Sequence, residues 1–271
     1  MRNRCILLII LFLCVFCTSI SFADLVGHWK FDETTGTSAA DSSGNYNHGI
    51  VVGTGTFDAY STAGRSGSPN TAIHMDGTYY FNCGHDFTVD PTHGLTIAAW
   101  VKLADGNQAA YATVIDKEYH NPPAYGGYTL MVNPTGAPAT GTVGSFMANG
   151  TTWVAATGTS NLSDPNWHFI VATYNGAGIQ TYVDGLPDGF KAMPTYISSQ
   201  PADLTIGSGA PLFPARFFNG AVDEVAIWDS ALSAEEIQTV YDNGITDPMV
   251  TEPYEKILWL KADIGVQQDP N

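Results

Sequence analysis

Phe218-Asn-Gly-Ala-Val-Asp-Glu-Val-Ala-Ile-Trp228 is the stretch that decides the fold. Its β-branched and aromatic residues are typical of a strand, and Gly220 marks the start of the run. Strict alternation of apolar and polar residues fails at Val225-Ala-Ile-Trp228, which predicts a strand that is buried on both faces.

The residues that follow, Asp229 to Gly244, predict one short helix. Ser233 is a favourable N-cap, and Glu236 three residues later completes a capping box. Leu232 and Ile237 occupy the two positions of a hydrophobic staple, and Gly244 suits the left-handed residue that ends a helix. A buried strand therefore leads directly into a single helix near the end of the domain.

The rest of the chain is rich in short apolar segments separated by turn residues. Glycine occurs 28 times and only 13% of the residues are charged. Short strands with turn signals every eight to twelve residues or so are typical of a β-sandwich. The sequence therefore predicts an all-β protein with a sizeable core.

Three further segments, taken with the closing stretch, resemble the LamG-like jellyroll family. They are Val26-Gly-His-Trp-Lys-Phe-Asp-Glu33, Leu95-Thr-Ile-Ala-Ala-Trp-Val101 and Trp167-His-Phe-Ile-Val-Ala-Thr-Tyr174. This family belongs to the concanavalin A-like lectin/glucanase superfamily and is common in secreted bacterial proteins. The resemblance implies a jellyroll sandwich of two antiparallel sheets with one short C-terminal helix, over residues 24–246.

Both ends of the chain differ in character from this domain. Residues 1–23 have a positive start, an apolar run and a small-x-small site, which predicts a signal peptide cleaved after Ala23. The mature protein is therefore expected to be secreted or on the cell surface, with no membrane insertion after cleavage. Residues 247–254 are interpreted as a linker, and residues 255–271 as the truncated start of a further module.

The charge balance limits the choice of partners. Ten Lys and Arg residues face 26 Asp and Glu residues, for a net charge of −16. Such a surface repels nucleic acid and anionic lipid, and is compatible with cations and neutral sugars, although it also serves solubility alone. Cys83 is the only cysteine beyond the predicted signal peptide and is interpreted as a small buried residue.

The family resemblance implies a calcium site. In relatives, calcium often lies between the loop after the first strand and the start of the final strand. On that resemblance Asp41, Asn45 and Asp223 supply the oxygen ligands that calcium prefers. The alternative from the residues themselves is that Asp41 forms an Asx-turn and nothing more.

Residues 118–128, Glu-Tyr-His-Asn-Pro-Pro-Ala-Tyr-Gly-Gly-Tyr, are predicted to form a loop with an unusual share of aromatics. Exposed Tyr119, Tyr125 and Tyr128 suit stacking on the apolar faces of sugars, together with Trp153. In the alternative interpretation the loop is a rigid turn with its rings tucked over the sheet edge.

The pattern of carboxylates does not predict an enzyme. Asp223 and Glu224 are adjacent and would point to opposite faces of a strand, while Asp229 is too far along it to form a glycosidase pair. The sequence favours a non-catalytic module that binds glycans with calcium support. The alternative is a structural or adhesion module that binds an extracellular protein or spaces other domains, and a glycoside hydrolase of the same fold is a minor one.

Overall fold

The computed structural model describes residues 23–85, 94–104, 108–134, 141–196, 202–209 and 216–245. The predicted signal peptide, linker and further module lie outside these residues, so those predictions stay untested. Among the described residues there is no helix long and apolar enough to span a membrane.

Sheet A holds eight antiparallel strands around the deciding stretch. In spatial order they are β14 (Leu186–Ala192), β13 (Gly178–Val183), β12 (His168–Tyr174), β7 (Leu95–Leu103), β16 (Asn219–Trp228), β5 (Ala72–Asp76) and β4 (Ser61–Thr62), while β1 (Leu25–Trp29) pairs with β16. The first half of β16 pairs with β5 and its second half with β1, while β7 runs along its other side. The strand predicted for this stretch is therefore confirmed, and it is paired on both sides within the sheet.

Sheet B also holds eight antiparallel strands and lies against sheet A. In spatial order they are β11 (Trp153–Thr157), β10 (Val143–Ala148), β9 (Ala124–Val132), β8 (Ala112–Asn121), β15 (Thr205–Ile206), β6 (Tyr79–Asn82), β3 (Gly49–Gly53) and β2 (Ser38–Ala39). Two helices, α1 (Phe57–Tyr60) and α2 (Ala234–Asn243), complete the described elements. Two packed antiparallel sheets with one short C-terminal helix confirm the predicted jellyroll sandwich.

The main core lies between the two sheets and contains residues from both. Val225 and Ile227 of β16 face this core and are fully buried. Cys83 is buried at its edge, where burial raises the pKa of its thiol, as expected for an inert cysteine.

A second apolar cluster covers the outer face of sheet A. Ala226 and Trp228 of β16 point into it, and Ile237 of α2 packs on them. The predicted burial of both faces of β16 is confirmed, because α2 covers the face that the sandwich core does not. Ser233 and Glu236 form the predicted capping box, and Gly244 ends the helix with a φ of 87°.

One prediction about local structure is wrong. Residues 118–128 are mostly a β-hairpin, in which β8 continues to Asn121 and β9 begins at Ala124. Pro122 and Pro123 alone make the turn, and His120 lies opposite Tyr125. Pairing between the strands, which sequence patterns do not reveal, extends the sheet into a stretch that proline and glycine mark as a loop.

Candidate functional site

The strand β16 carries the first group of candidate residues at an irregularity in its pairing. The register with β7 shifts between Asp223 and Ala226, and Glu224 has a left-handed φ of 49°. Asp223 is only 4% exposed, and its Oδ2 accepts a hydrogen bond from the backbone N–H of Arg65 at 3.1 Å. The simple alternation expected for Asp223 and Glu224 is therefore broken by the bulge.

Negative charge is concentrated around Asp223. Burial raises the pKa of Asp223 to about 7, and the nearby carboxylates of Glu224 and Asp32 add to the increase. Glu224 is hydrogen-bonded through Oε2 to Nε2 of His28. A buried carboxylate beside two others is an environment that a bound cation would stabilise.

The other two residues of the implied calcium site have different partners. Asp41 accepts three backbone N–H groups, from His28, Ser43 and Asn47, each at 2.9 Å. The contact with Ser43 is the Asx-turn given above as the alternative. The side-chain amide of Asn45 donates to backbone oxygens of residues 25 and 26.

No hydrogen bond joins Asp41 or Asn45 to Asp223 within the described residues. Those residues also contain no group of three or more His, Cys, Asp and Glu side chains arranged to hold a metal. A calcium ligand set built around Asp223 would therefore need backbone carbonyls beside its carboxylates, which calcium accepts readily.

Aromatic side chains form a second candidate site on sheet B, and His120, Tyr125 and Trp153 are named here the aromatic cluster. The rings of His120 and Tyr125 lie 4.8 Å apart at 80°, and those of His120 and Trp153 lie 6.4 Å apart and nearly parallel. Tyr125 and Trp153 are 6.3 Å apart. All three are half-buried, so each keeps part of its ring at the surface.

The other two predicted tyrosines lie apart from this cluster. Tyr128 is 1% exposed and belongs to the core between the sheets, so its ring is not available for stacking. The reason is the alternation of a strand, because Tyr128 is an odd number of residues from Tyr125 and faces the opposite side. Tyr119 is half-buried and accepts a hydrogen bond from Asn121 at 3.0 Å.

Five residues beside the aromatic cluster escaped the sequence analysis: Tyr111, Asp116, Glu118, Phe146 and Arg216. Nη1 of Arg216 donates to Oε2 of Glu118 at 3.1 Å, and the guanidinium lies over the Tyr111 ring at 5.2 Å. The Tyr111 ring meets Phe146 edge-on at 6.0 Å. Alternation along Asp116, Glu118 and His120 was the available signal for the two carboxyl groups. It was hidden because the predicted loop began at Glu118.

The two carboxyl groups of this set are almost completely buried, with Asp116 3% and Glu118 6% exposed. Burial raises the pKa of Glu118 to about 7, against the opposing effect of Arg216. Burial and the charge of Glu118 raise the pKa of Asp116 well above its ordinary value. Within the described part of the chain, Oδ2 of Asp116 has no hydrogen-bond partner.

Solved structures include domains with the same architecture. Domain 4 of AbnA, a GH43 extracellular arabinanase from Geobacillus stearothermophilus, in complex with arabinotriose, has a TM-score of 0.60 at 18% identity, covering 81% of this chain and 98% of that one. The botulinum neurotoxin serotype D ligand binding domain in complex with N-acetylneuraminic acid has a TM-score of 0.54 at 12% identity, covering 81% and 50%. The chain thus shares the β-sandwich architecture of these two domains.

The sequence comparisons identify the family. A family model described as the concanavalin A-like lectin/glucanases superfamily matches residues 75–238, which is more than half of the chain. The chain therefore belongs to this superfamily. C-reactive protein of Oryctolagus cuniculus is 30% identical over 111 residues, which are 38% of this chain and 49% of that protein. The chain thus spans about half the length of this curated relative.

Proposed function

We propose that this protein is an exported, non-catalytic module that binds glycans and is supported by calcium. The observation that carries the proposal is the aromatic cluster of His120, Tyr125 and Trp153 at one end of sheet B. Half-buried rings held by their neighbours present apolar faces without losing much side-chain freedom on binding. The apolar face of a sugar ring is a suitable partner for such a surface.

The comparisons support the proposal at the level of the fold. The arabinanase domain was solved with arabinotriose and the neurotoxin domain with N-acetylneuraminic acid. At sequence identities below 20%, the ligands of those proteins cannot be assigned to this one. They support only the idea that the surface of this sandwich accommodates saccharides.

The buried carboxyl groups support a non-catalytic role. Glycosidases need two carboxyl groups that reach the substrate from solvent. Here Asp116 and Glu118 are almost completely covered, and Arg216 holds Glu118 through a charged hydrogen bond. We therefore assign this pair to positioning Arg216, and expect no release of reducing sugar from polysaccharides that the module binds.

Calcium is proposed at Asp223. The support is the burial of its carboxylate beside Glu224 and Asp32, where added positive charge would relieve the repulsion. His28 already bonds one oxygen of Glu224, and the N–H of Arg65 already bonds Asp223. A cation would therefore use the remaining oxygens of these carboxylates together with backbone carbonyls.

A glycan array tests the binding function. We expect residues 24–246 to retain neutral oligosaccharides and Trp153→Ala to abolish this retention, because the indole is the largest apolar ring of the aromatic cluster. Phe190→Ala is the matched control, since Phe190 is an exposed ring on the other sheet. Wild-type protein that retains no glycan would reject the proposal and favour the structural or adhesion module instead.

A further inference from the structure

The end of sheet B that is formed by β2, β3 and β6 exposes apolar side chains to solvent. Val51 of β3 packs against the core, so Ile50 and Val52 point outward. They are 52% and 41% exposed, although isoleucine and valine are among the residues most often buried. Tyr46 in the preceding loop is 81% exposed, and its ring meets that of the exposed His48 edge-on at 6.1 Å.

Rings next to β3 extend this surface across the sheet. Val52 lies opposite Tyr80 on β6, and Tyr79 packs in the core, so Tyr80 points outward as well. The ring of Tyr80 lies 6.4 Å from that of Phe217, and both residues are half-buried. The resulting surface is named here the β3 face, and its side chains are those of Tyr46, His48, Ile50, Val52, Tyr80 and Phe217.

The β3 face differs in charge from the molecule as a whole. None of its six side chains is acidic, whereas the chain has a net charge of −16. At its margin Asn82, which lies opposite Ile50, donates to Asp203, and Asp203 lies 3.5 Å from Nδ1 of His85. A large net charge keeps molecules of one protein apart, and the repulsion is weakest where two uncharged surfaces meet. This charge pattern favours a second copy of the chain as the occupant of the β3 face.

The edge of the sheet beside the β3 face offers little room for another strand. Ser38 and Ala39 of β2 pair with the first residues of β3, and the N–H of Val51 donates to the carbonyl oxygen of Thr37. A very short edge strand of this kind discourages pairing with another chain. A partner would therefore pack on the face, as the two sheets of a sandwich do, about 10 Å apart.

The size of the β3 face suits a weak dimer. An aromatic side chain has about 150–250 Å² to bury, so the six partly exposed side chains present roughly 500 Å² on each molecule. Two molecules would then bury about 1,000 Å², which is the lower limit for a specific interface. A two-fold axis allows the same patch to serve on both molecules, so no second surface is needed.

We propose that the protein forms a weak two-fold dimer in which the β3 faces of two molecules pack on each other. The inference goes beyond the proposed glycan binding and does not depend on it, because the β3 face shares no residue with the aromatic cluster. Ile50 and Val52 lie at the centre of the contact. Salt favours the dimer, since it screens the repulsion between the two negative molecules.

Sedimentation velocity of the chain from residue 24 to residue 271 tests the proposal. For the wild type we expect monomers at about 1 μM and a substantial share of dimers at about 1 mM, with more dimer in about 0.5 M than in about 0.05 M sodium chloride. Ile50→Glu should raise the dissociation constant at least about tenfold, because the dimer would bury two unpaired carboxylates. Leu186→Glu is the matched control, since it adds the same charge at a residue that is 65% exposed on β14, and it should associate like the wild type.

A second variant separates the contact itself from a change in net charge or in folding. Val52→Lys reduces the net negative charge and should still weaken the dimer at least about tenfold. The proposal fails if the wild type stays monomeric at every concentration, or if dimers persist in both Ile50→Glu and Val52→Lys. It also fails if Leu186→Glu weakens the dimer as much as Ile50→Glu does. A monomeric wild type whose glycan retention is lost in Ile50→Glu would instead make the β3 face a glycan site.

Discussion

Asp223 shows how much one residue depends on its surroundings. Its carboxylate is buried beside Glu224 and Asp32, and its pKa is raised to about 7. Burial makes this carboxylate costly to ionise, although the charge and the backbone N–H of Arg65 partly oppose the increase in its pKa. The position therefore links the proposed calcium to the stability of the fold.

The calcium proposal predicts that substitutions of Asp223 and Asp41 change the response of the thermal midpoint to calcium in different ways. We expect calcium, compared with EDTA, to raise the thermal midpoint of the wild type by several degrees, because calcium binds the folded state alone. Asp223→Asn should remove this difference. Asp41→Asn should lower both midpoints equally, because it weakens three backbone hydrogen bonds and no metal contact. Loss of the calcium effect in Asp41→Asn alone would contradict the placement of the ion.

The candidate ligand residues were only partly predictable from the sequence. Tyr125 and Trp153 stand out as aromatics among turn residues and do meet in the structure. Tyr128 looks the same in the sequence but lies in the core, since a shift of an odd number of positions along a strand reverses the face. His120 carries no local signal, because only the register between β8 and β9 brings it opposite Tyr125.

At the level of elements, the helix α2 was predicted almost completely. Its capping box, staple and terminal glycine are all local patterns, so the sequence around Ser233 is sufficient to locate it. The β8–β9 hairpin was missed because its pairing is decided by the sheet and not by the residues of the turn. Local signals therefore predict helix ends well and strand extensions poorly.

The N-cap and the buried face of α2 lead to a prediction about the stability of the protein. We expect Ser233→Ala to lower the free energy of unfolding by about 1 kcal/mol through loss of the N-cap. Ile237→Ala should lower it by about 2–5 kcal/mol, because this side chain is fully buried on the outer face of sheet A. Thr239→Ala, an exposed change in the same helix, is the control and should stay within about 0.5 kcal/mol. Denaturant unfolding measures all three, and equal effects would contradict the role of α2 as a cover.

At the level of the whole molecule, several buried groups make stability depend on pH in one direction. Glu118 and Asp223 have pKa values raised to about 7 from ordinary values of 4.5 and 3.8. Hydrogen bonds to Asp184 and Asp164 raise the pKa of His168 above 6.5. All three bind protons more tightly in the folded state, so the stability they contribute is present at low pH and is lost as the pH rises through these raised values.

We therefore expect the thermal midpoint in EDTA to fall between pH 5 and pH 8. Calcium should reduce this fall, because a bound cation favours the ionised form of Asp223. Melts at a series of pH values, with calcium and with EDTA, measure both effects. A midpoint in EDTA that rises over this interval would contradict the assignment of these groups.

The fold as a whole was predictable because several sequence segments match strands of the sandwich and occur in the expected order along the chain. The closing strand and helix, the opening strand around Trp29 and the central strand around Trp100 each match one element of the sandwich. The site was less predictable, since the aromatic cluster combines residues from β8, β9 and β11. Their proximity follows from pairing over long sequence distances.

The central claim, that the outer face of sheet B binds a neutral glycan at Trp153, is tested most directly by nuclear magnetic resonance. The indole N–H signals of the tryptophans are followed while a neutral trisaccharide retained in the array is added to residues 24–246. We predict that the Trp153 signal shifts on saturable binding, while those of Trp29 and Trp228 in the two buried clusters stay in place. An unmoved Trp153 signal while another tryptophan responds would place the ligand elsewhere and contradict the account.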